Sequence, residues 1–209
     1  MPASATRIYL LAAHPDWNES RVNRLLFQAA RTLPHVQVQD LYGSYPDFDL
    51  DVATEQANAQ RADLLVLLHP VQWYAMPALM KLWFDEVLGY GWAYGPGGTA
   101  LQGKDLWLVA STGGPEASYH PQGYNRYFFD AFLPPYEQTA ALCGMRFLPP
   151  LLLHGARRAA PQEVQEHVEV FRQRLDAYPE WPELEELGAC PVVDVPTTDR
   201  PLPDPHAEA

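Results

Sequence analysis

Five short apolar runs, separated by segments with helical spacing, constrain the fold of this 209-residue chain most strongly. The runs extend over Ile8 to Ala13, Val36 to Leu41, Leu64 to His69, Leu106 to Ser111 and Phe147 to Leu153. Short apolar runs of this length are typical of β-strands. Strands that alternate with helices predict a parallel sheet with right-handed crossovers, so we expect a doubly wound α/β domain.

The segments between the runs carry apolar residues every three or four positions, as amphipathic helices do. Ser20 is a favourable N-cap for the first helix, which Pro34 closes. A second predicted helix covers residues 51–61, and a third begins at Pro77 and stops at Gly89. A fourth lies around Tyr136 to Cys143, and a fifth runs from Pro161 to about Asp176. These helices can cover both faces of the predicted sheet.

The composition changes from Pro179 onward, where seven prolines and eight acidic residues accompany a single basic residue, Arg200. Such a segment has few apolar side chains to bury. We therefore expect one domain over residues 1–178 and a Pro-rich acidic tail over residues 179–209 that lies on its surface.

Net charge and cysteine content limit the kinds of binding partner and the cellular compartment that we expect. A net charge of −12 and a pI near 4.9 disfavour binding to nucleic acid or to anionic lipid, because phosphate binding depends on clustered Lys and Arg. The amino-terminal segment does not resemble a secretory signal, and no apolar run reaches the roughly 20 residues of a spanning helix. We expect a soluble, cytoplasmic protein in which Cys143 and Cys190 are free thiols.

Three loops follow predicted strands and carry the residues best suited to a ligand. They are His14 to Asn23 after the first strand, Pro70 to Tyr74 after the third, and Ser111 to Gly114 after the fourth. In the strand order 2-1-3-4-5, these loops surround the point where the order reverses, which is where open α/β sheets bind ligands. This shared position favours a ligand site over three unrelated turns.

Each loop has a distinct chemistry. The first combines small polar side chains with a helix N-terminus, which suits a phosphate, although it lacks the G-x-G-x-x-G and G-K-[ST] patterns. Trp73 and Tyr74 in the second loop suit a planar ligand, and the amide of Gln72 can form hydrogen bonds with the polar edge of such a ligand. Gly113 and Gly114 in the third allow close backbone approach. Alternatively, Ser20 is only an N-cap, the aromatic residues cap the core, and the glycines form a simple turn.

Several longer motifs make the chain similar to a known family. They are AHP at 13–15, LYGSYPDFD at 41–49, ADLLVLLHPVQWYAMPALMKLWFDEV at 62–87, GWAYGPGGTALQGK at 91–104 and STGG at 111–114. From about Arg7 to Leu175, the chain resembles the FMN-dependent NAD(P)H:quinone oxidoreductases of the flavodoxin-like fold. Within them, it looks most like the bacterial ancillary flavoproteins of glutathione-regulated potassium efflux.

The resemblance implies a set of cofactor-binding residues. The phosphate and ribityl chain of FMN would lie among His14, Ser20, Arg21, Val22 and Asn23. One side of the isoalloxazine ring would be lined by Val71, Gln72, Trp73 and Tyr74. Its pyrimidine edge would be held by Ser111, Thr112, Gly113 and Gly114. No metal site is implied.

The resemblance also identifies catalytic candidates. Mammalian-type quinone reductases carry a Tyr five residues after the Gly-Gly pair and a His six residues further on, and both help to stabilise charge during hydride transfer. Tyr119 matches the first position, whereas Asn125 occupies the second. The neighbouring His120 could substitute for the missing histidine.

The expected function is hydride transfer from NADH or NADPH through FMN to a quinone-type acceptor, in a ping-pong cycle. One alternative is a regulatory role on a membrane antiporter, and another is azo or nitro reduction at the same site. A single-electron carrier is a third, although the aromatic loops favour a substrate slot. A metal hydrolase that uses His14, His69, His120 and His154 is disfavoured, because these residues lack metal-ligand spacing.

Aromatic residues are abundant, with six Trp and eleven Tyr in the chain. This is more aromatic surface than one small core requires, and together with the resemblance it favours a homodimer with the flavin near the interface. The glycine-rich segment at 91–104, with Trp92 and Tyr94, is expected to form an ordered loop near the flavin and the partner subunit.

Overall fold

The computed structural model describes residues 6–188 together with residues 193, 195 and 196. Its five strands form one parallel sheet in the order β2-β1-β3-β4-β5, which confirms the predicted topology. The strands are β1 Ile8–Ala12, β2 Val36–Asp40, β3 Leu64–Pro70, β4 Asp105–Ser111 and β5 Arg146–Leu153. Each predicted strand is present, with its ends shifted by no more than one residue.

The helices occupy the segments between the strands. They are α1 Asn23–Ala30, α2 Leu41–Ser44, α3 Val52–Arg61, α4 Ala78–Val87, α5 Pro134–Leu142, α6 Pro161–Ala177 and α7 Glu183–Glu186. Two short 3₁₀ helices, Glu116–Ser118 and Phe129–Phe132, lie between β4 and α5. The predicted N-cap of α1 was wrong: the cap position is Val22, because residues 21 and 22 precede the helix.

Two apolar layers hold the helices on opposite faces of the sheet, as a doubly wound fold requires. Alternate residues of β1 supply both layers, since Tyr9 and Leu11 point into one and Ile8 and Leu10 into the other. The first layer includes Trp83 of α4, and the second includes residues of α1 and α6. Every residue of β1 and β4 is buried, which explains why most residues in the sequences of these two strands are apolar.

A buried acidic side chain joins three elements within the first layer. Glu55 of α3 accepts hydrogen bonds from the hydroxyl of Tyr9 at 2.7 Å and from the indole N–H of Trp83 at 2.7 Å. Its other oxygen accepts from Gln39 at 3.0 Å and from Tyr45 at 2.7 Å. Four donors satisfy a carboxyl group that would otherwise be costly to bury.

The packed core continues past residue 178. The indole of Trp181 is buried against Trp107, with ring centroids 4.9 Å apart, and its N–H donates to the carbonyl of Arg174 at 2.8 Å. Leu184 of α7 is also buried in this layer. The first part of the expected tail therefore packs on the domain, whereas most of the remainder lies outside the described residues.

One of the two cysteines lies in the packed core. Cys143 is a free, buried thiol whose pKa burial raises to about 12, so it is protonated at neutral pH. Cys190 lies outside the described residues. Across the described ranges, none of the helices combines the length and apolar character that a membrane span needs.

Candidate functional site

A cleft of about 660 Å³ opens at the carboxyl ends of β1, β3 and β4. This volume is within the range of about 300–1,000 Å³ that is common for small-molecule sites. Most of the predicted cofactor-binding residues line it: His14, Ser20, Arg21, Val22, Asn23, Val71, Gln72, Ser111, Thr112 and Gly113. Trp73, Tyr74 and Gly114 lie in the same loops but outside this lining. The fold therefore brings together three loops that are distant in the sequence.

One end of the cleft is built by the start of α1. Among the described residues, the backbone N–H groups of Arg21, Val22 and Asn23 have no acceptor. The Asn23 side chain is only 2% exposed, and its Oδ1 is buried with no hydrogen-bond partner in this part of the chain. Ser20 Oγ accepts from the N–H of Arg24 at 3.0 Å. Unpaired N–H groups at a helix N-terminus form a favourable environment for an anion.

Arg21 has a different role from a simple phosphate ligand. Its guanidinium donates to the carbonyls of Arg157 at 2.7 Å and Ala159 at 3.1 Å, which joins the loop after β1 to the loop after β5. Arg157 itself lines the cleft, as do Glu19, Pro70 and Ala156. Glu19 and Pro70 belong to the loops predicted for the site, whereas Ala156 and Arg157 were not predicted. A signal for Arg157 existed, because it follows the fifth apolar run at the same edge of the sheet.

His14 lies beside this end and is half-buried. Its Nδ1 accepts a hydrogen bond from the N–H of Asp16 at 3.2 Å, which places the proton of the neutral ring on Nε2. The ring stacks on Trp17 with centroids 5.3 Å apart. Burial lowers the pKa of His14 despite the opposing effect of Asp16, so the ring is a neutral donor near pH 7.

The loop after β3 turns sharply at Trp73 and Tyr74. Gln72 and Ala75 exchange backbone hydrogen bonds of 2.9 and 3.0 Å, and Trp73 and Tyr74 have φ angles of 48° and 67°. Two successive left-handed residues are typical of a type I′ turn, and without glycine such a turn is strained. The turn leaves Trp73 93% exposed, while Tyr74 stacks on Phe132 with centroids 5.1 Å apart.

A buried hydrogen-bonded pair lies beneath this turn. His69 at the end of β3 is completely buried, with its Nδ1 3.0 Å from the Pro70 carbonyl and its Nε2 3.2 Å from the Tyr136 hydroxyl. A carbonyl only accepts, so Nδ1 carries the proton and Nε2 accepts from Tyr136. Burial lowers the pKa of His69 to about 4 and keeps the ring neutral. The pair fixes the start of the turn to α5.

The two glycines after β4 occupy different environments. A Cβ on Gly113 would meet no protein atom within 4 Å, so no neighbour in the described chain requires glycine there. A Cβ on Gly114 would lie 2.8 Å from the Tyr124 hydroxyl and 2.9 Å from Ser118 Oγ. Gly113 therefore leaves open space at the cleft, whereas Gly114 allows the loop over residues 115–125 to pack closely.

None of the three catalytic candidates, Tyr119, His120 and Asn125, is part of the cleft lining. Tyr119 is buried and its ring contacts Phe129 and His154, with centroids 5.4 and 5.3 Å away. Burial raises the pKa of its phenol. Asn125 donates to Ser118 Oγ at 2.7 Å, and His120 Nδ1 accepts from the N–H of Gln122 at 3.1 Å. His154 was considered only as a metal ligand in the sequence, yet it is the histidine beside Tyr119.

The glycine-rich segment over residues 91–104 is ordered, but it does not line the cleft of its own chain. It lines a separate cavity of about 300 Å³ with Cys143, Gly144, Val193 and Val195. Within the described ranges, no three His, Cys, Asp or Glu side chains are grouped so that they could hold a metal ion.

Comparison with known proteins agrees with this architecture. A family model described as the flavodoxin-like fold matches residues 6–175. The glutathione-regulated potassium-efflux system ancillary protein KefG of Cronobacter sakazakii (strain ATCC BAA-894) is 42% identical over 175 residues, which cover 84% of this chain and 95% of that protein.

Solved structures agree as well. The general stress protein 14 of Treponema denticola, in complex with FMN, superposes with a TM-score of 0.77 at 37% identity and covers 82% of this chain and 98% of its own. An NADPH-quinone reductase from P. pentosaceus gives a TM-score of 0.73 at 27% identity, over 80% of this chain and 96% of its own. The chain belongs to the flavodoxin-like fold family.

Proposed function

We propose that this protein is an FMN-dependent NAD(P)H:quinone oxidoreductase. The observation that carries the proposal is the division of one cleft into an anion-favouring end at α1 and an open, aromatic-flanked end near Gly113, Trp73 and Tyr74. FMN has a phosphate at one end and a flat ring system at the other. The resemblance of this chain to an FMN complex and to a quinone reductase supports the same assignment.

The residues at the first end fit a phosphate. The free N–H groups of Arg21, Val22 and Asn23 would donate to its oxygens, and the N-terminus of α1 would add a favourable dipole. Arg157, exposed at the edge of the cleft, would add a positive charge. The buried Oδ1 of Asn23, which has no partner among the described residues, only accepts, so its partner would be a ribityl hydroxyl of FMN rather than the phosphate.

The residues at the second end fit a flat ring. The open space at Gly113 would let the ring approach the backbone, and the N–H groups of Gly113 and Gly114 would donate to its polar edge. Val71 and Gln72 would lie along one side, beneath the turn that carries Trp73 and Tyr74. When bound there, FMN would supply two-electron hydride chemistry between NADH or NADPH and a quinone.

The protein would contribute position and proton placement. The phenol of Tyr119, whose pKa is raised by burial, would stay protonated and could donate to an acceptor oxygen. Asn125 would hold the loop beside it through Ser118 and Tyr74. Azo and nitro compounds are alternative acceptors, because they are also planar and also accept electron pairs.

Anaerobic stopped-flow spectroscopy of the FMN-loaded protein tests the proposal. NADH or NADPH should bleach the visible flavin band, and a quinone added afterwards should restore it in a separate phase. Comparison of the two nucleotides would identify the donor, and comparison of quinone, azo and nitro compounds would identify the acceptor. A flavin band that neither nucleotide bleaches would contradict the reductase assignment.

A second candidate function is regulation of a membrane antiporter, and the 42% identity with an ancillary protein of a potassium-efflux system favours it. The two functions can share one FMN site. Potassium efflux from vesicles that contain the efflux protein should increase when this chain is added. A variant that binds FMN but does not bleach with NAD(P)H would show whether that effect needs turnover.

We also propose a homodimer. Tyr124, Tyr127 and Phe128 are 71%, 63% and 62% exposed, and Trp73 is 93% exposed. Exposed aromatic surface of this kind is unusual on a monomer. Sedimentation equilibrium should give twice the mass of the chain, and Tyr127→Ser with Phe128→Ser should shift the protein towards the monomer. A wild-type monomer at high concentration would contradict the proposal.

A further inference from the structure

His154 connects the carboxyl ends of β4 and β5 through the Thr112 hydroxyl. The residue directly follows β5 and is half-buried. Its ring lies between Tyr119 and Phe129, with centroids 5.3 and 5.1 Å away, and its Nδ1 is 3.0 Å from Thr112 Oγ1. The imidazole that packs on Tyr119 therefore comes from a different strand than the loop that carries Tyr119.

The hydrogen bonds of Thr112 define the protonation of this ring. The Thr112 hydroxyl donates its single proton to the Gly114 carbonyl at 2.7 Å. Because that proton is used, Thr112 Oγ1 can only accept from His154, so Nδ1 of His154 must carry a proton. Burial lowers the pKa of His154, and only the nearby charge of Glu116 opposes this, so the neutral Nδ1–H form is expected at pH 7.

The turn that carries Thr112 is also joined to the loop after β5 by backbone hydrogen bonds. The Gly114 carbonyl accepts a second hydrogen bond from the N–H of Gly155 at 2.8 Å, and the Ala156 N–H donates to the Thr112 carbonyl at 2.9 Å. The backbone of the Gly113–Gly114 turn thus depends on how Thr112 Oγ1 is oriented.

We propose that His154 is a positioning residue that acts through Thr112: its neutral Nδ1–H orients the Thr112 hydroxyl, which in turn fixes the Gly114 carbonyl and with it the Gly113–Gly114 turn. This inference rests on the proposed FMN site for its consequence. The protonation of His154 can be measured without any cofactor.

Nitrogen-15 NMR of the imidazole rings tests the hydrogen-bond assignment directly. In the wild-type protein at pH 7, His154 should show a protonated Nδ1 and an unprotonated Nε2, and Thr112→Val should perturb its Nδ1 signal. A protonated Nε2 with an unprotonated Nδ1 would overturn the proposal, whether or not the protein binds FMN.

Variants test the consequence. His154→Leu removes the donor and should weaken FMN binding, followed by quenching of flavin fluorescence, by about tenfold, which corresponds to the loss of one hydrogen bond. His154→Asn keeps an N–H donor near the Nδ1 position and should recover most of the affinity. His167→Leu, at a half-buried histidine on α6, is the matched control and should leave the affinity unchanged.

A double-mutant cycle separates a role through Thr112 from a general packing role. In the Thr112→Val background, His154→Leu should cost little further FMN affinity. Additive losses, or equal losses in His154→Leu and His154→Asn proteins that keep native circular dichroism, would overturn the proposal. Absence of FMN binding by the wild-type protein would refute the proposed function, and the NMR result alone would then decide the role of His154.

Discussion

The hydroxyl of Tyr74 donates a hydrogen bond to Oδ1 of Asn125 at 3.3 Å, so the strained turn after β3 is tied to the loop that follows β4. The amide of Asn125 continues to Ser118 Oγ, which donates to the Pro115 carbonyl at 2.7 Å. Asn125 thus joins two loops that are 51 residues apart in the sequence. In this position it ties the turn after β3 to the loop after β4.

Replacement of Asn125 by Leu should therefore affect stability. Two hydrogen bonds are lost, each contributing about 1 kcal/mol, so the free energy of unfolding should fall by about 1–3 kcal/mol in urea titrations. Tyr74→Phe removes one of these bonds and is the matched control, with a loss of about 1 kcal/mol or less. If Asn125→Leu instead keeps full stability and lowers only the kcat for a quinone, Asn125 acts on the reaction rather than on the loop.

The glycine pair provides a second test, because the two positions differ in their surroundings. Gly113→Ala adds a methyl group into open space and should leave the free energy of unfolding within about 0.5 kcal/mol of wild type, while FMN affinity falls at least about tenfold. Gly114→Ala forces the methyl against Tyr124 and Ser118 and should destabilise the apoprotein by about 1–3 kcal/mol. Unchanged FMN affinity in Gly113→Ala would show that no ligand occupies that space.

The buried His69 predicts how stability depends on pH. Its pKa is about 4 in the folded protein and near 6.5 in the unfolded chain. Between pH 4 and pH 6.5, the unfolded chain therefore binds a proton at this ring that the folded protein does not. Stability from this group should be fully present above pH 6.5 and fall by roughly 3 kcal/mol as the pH decreases to 4.

Urea unfolding at pH 7 and pH 4.5 measures this dependence. His69→Gln lacks the titrating ring and should lose that part of the pH dependence, even if its stability at pH 7 is lower. Tyr136→Phe, which keeps the ring but removes its hydrogen-bond donor, should retain a pH dependence of the same sign. The same decrease in wild type and His69→Gln would assign the effect to other groups.

The fold was predictable because its three central strands are almost entirely buried. Residues 64–68 and 106–110 are apolar throughout, since each of these strands contacts helices above and below. The start of α1 was less predictable: Ser20 does bond the N–H of Arg24, but the intervening Arg21 and Val22 do not enter the helix. A side-chain cap signal gives the region of a helix start, not its exact residue.

Parts of the site could not be predicted, because they depend on contacts between distant segments. The register between β4 and β5 pairs Ser111 with Leu153, and only this register brings His154 to Thr112. Arg157 also reaches the cleft, and its place after the fifth apolar run was the one sequence signal for it. The turn at Trp73 and Tyr74 could not be predicted from the sequence either. Residues other than glycine adopt the left-handed conformation only where the surrounding structure stabilises it.

Calorimetric titration of the cofactor-free protein with FMN is the decisive measurement of cofactor binding. We expect one FMN bound per chain, a yellow complex, and weaker binding by Asn23→Leu, which removes a buried amide oxygen of a residue that lines the cleft. Unchanged binding by Gln165→Leu, at an exposed position on α6, would show that the loss is specific. A wild-type protein that stays colourless and releases no heat with FMN would show that the cleft does not bind this cofactor.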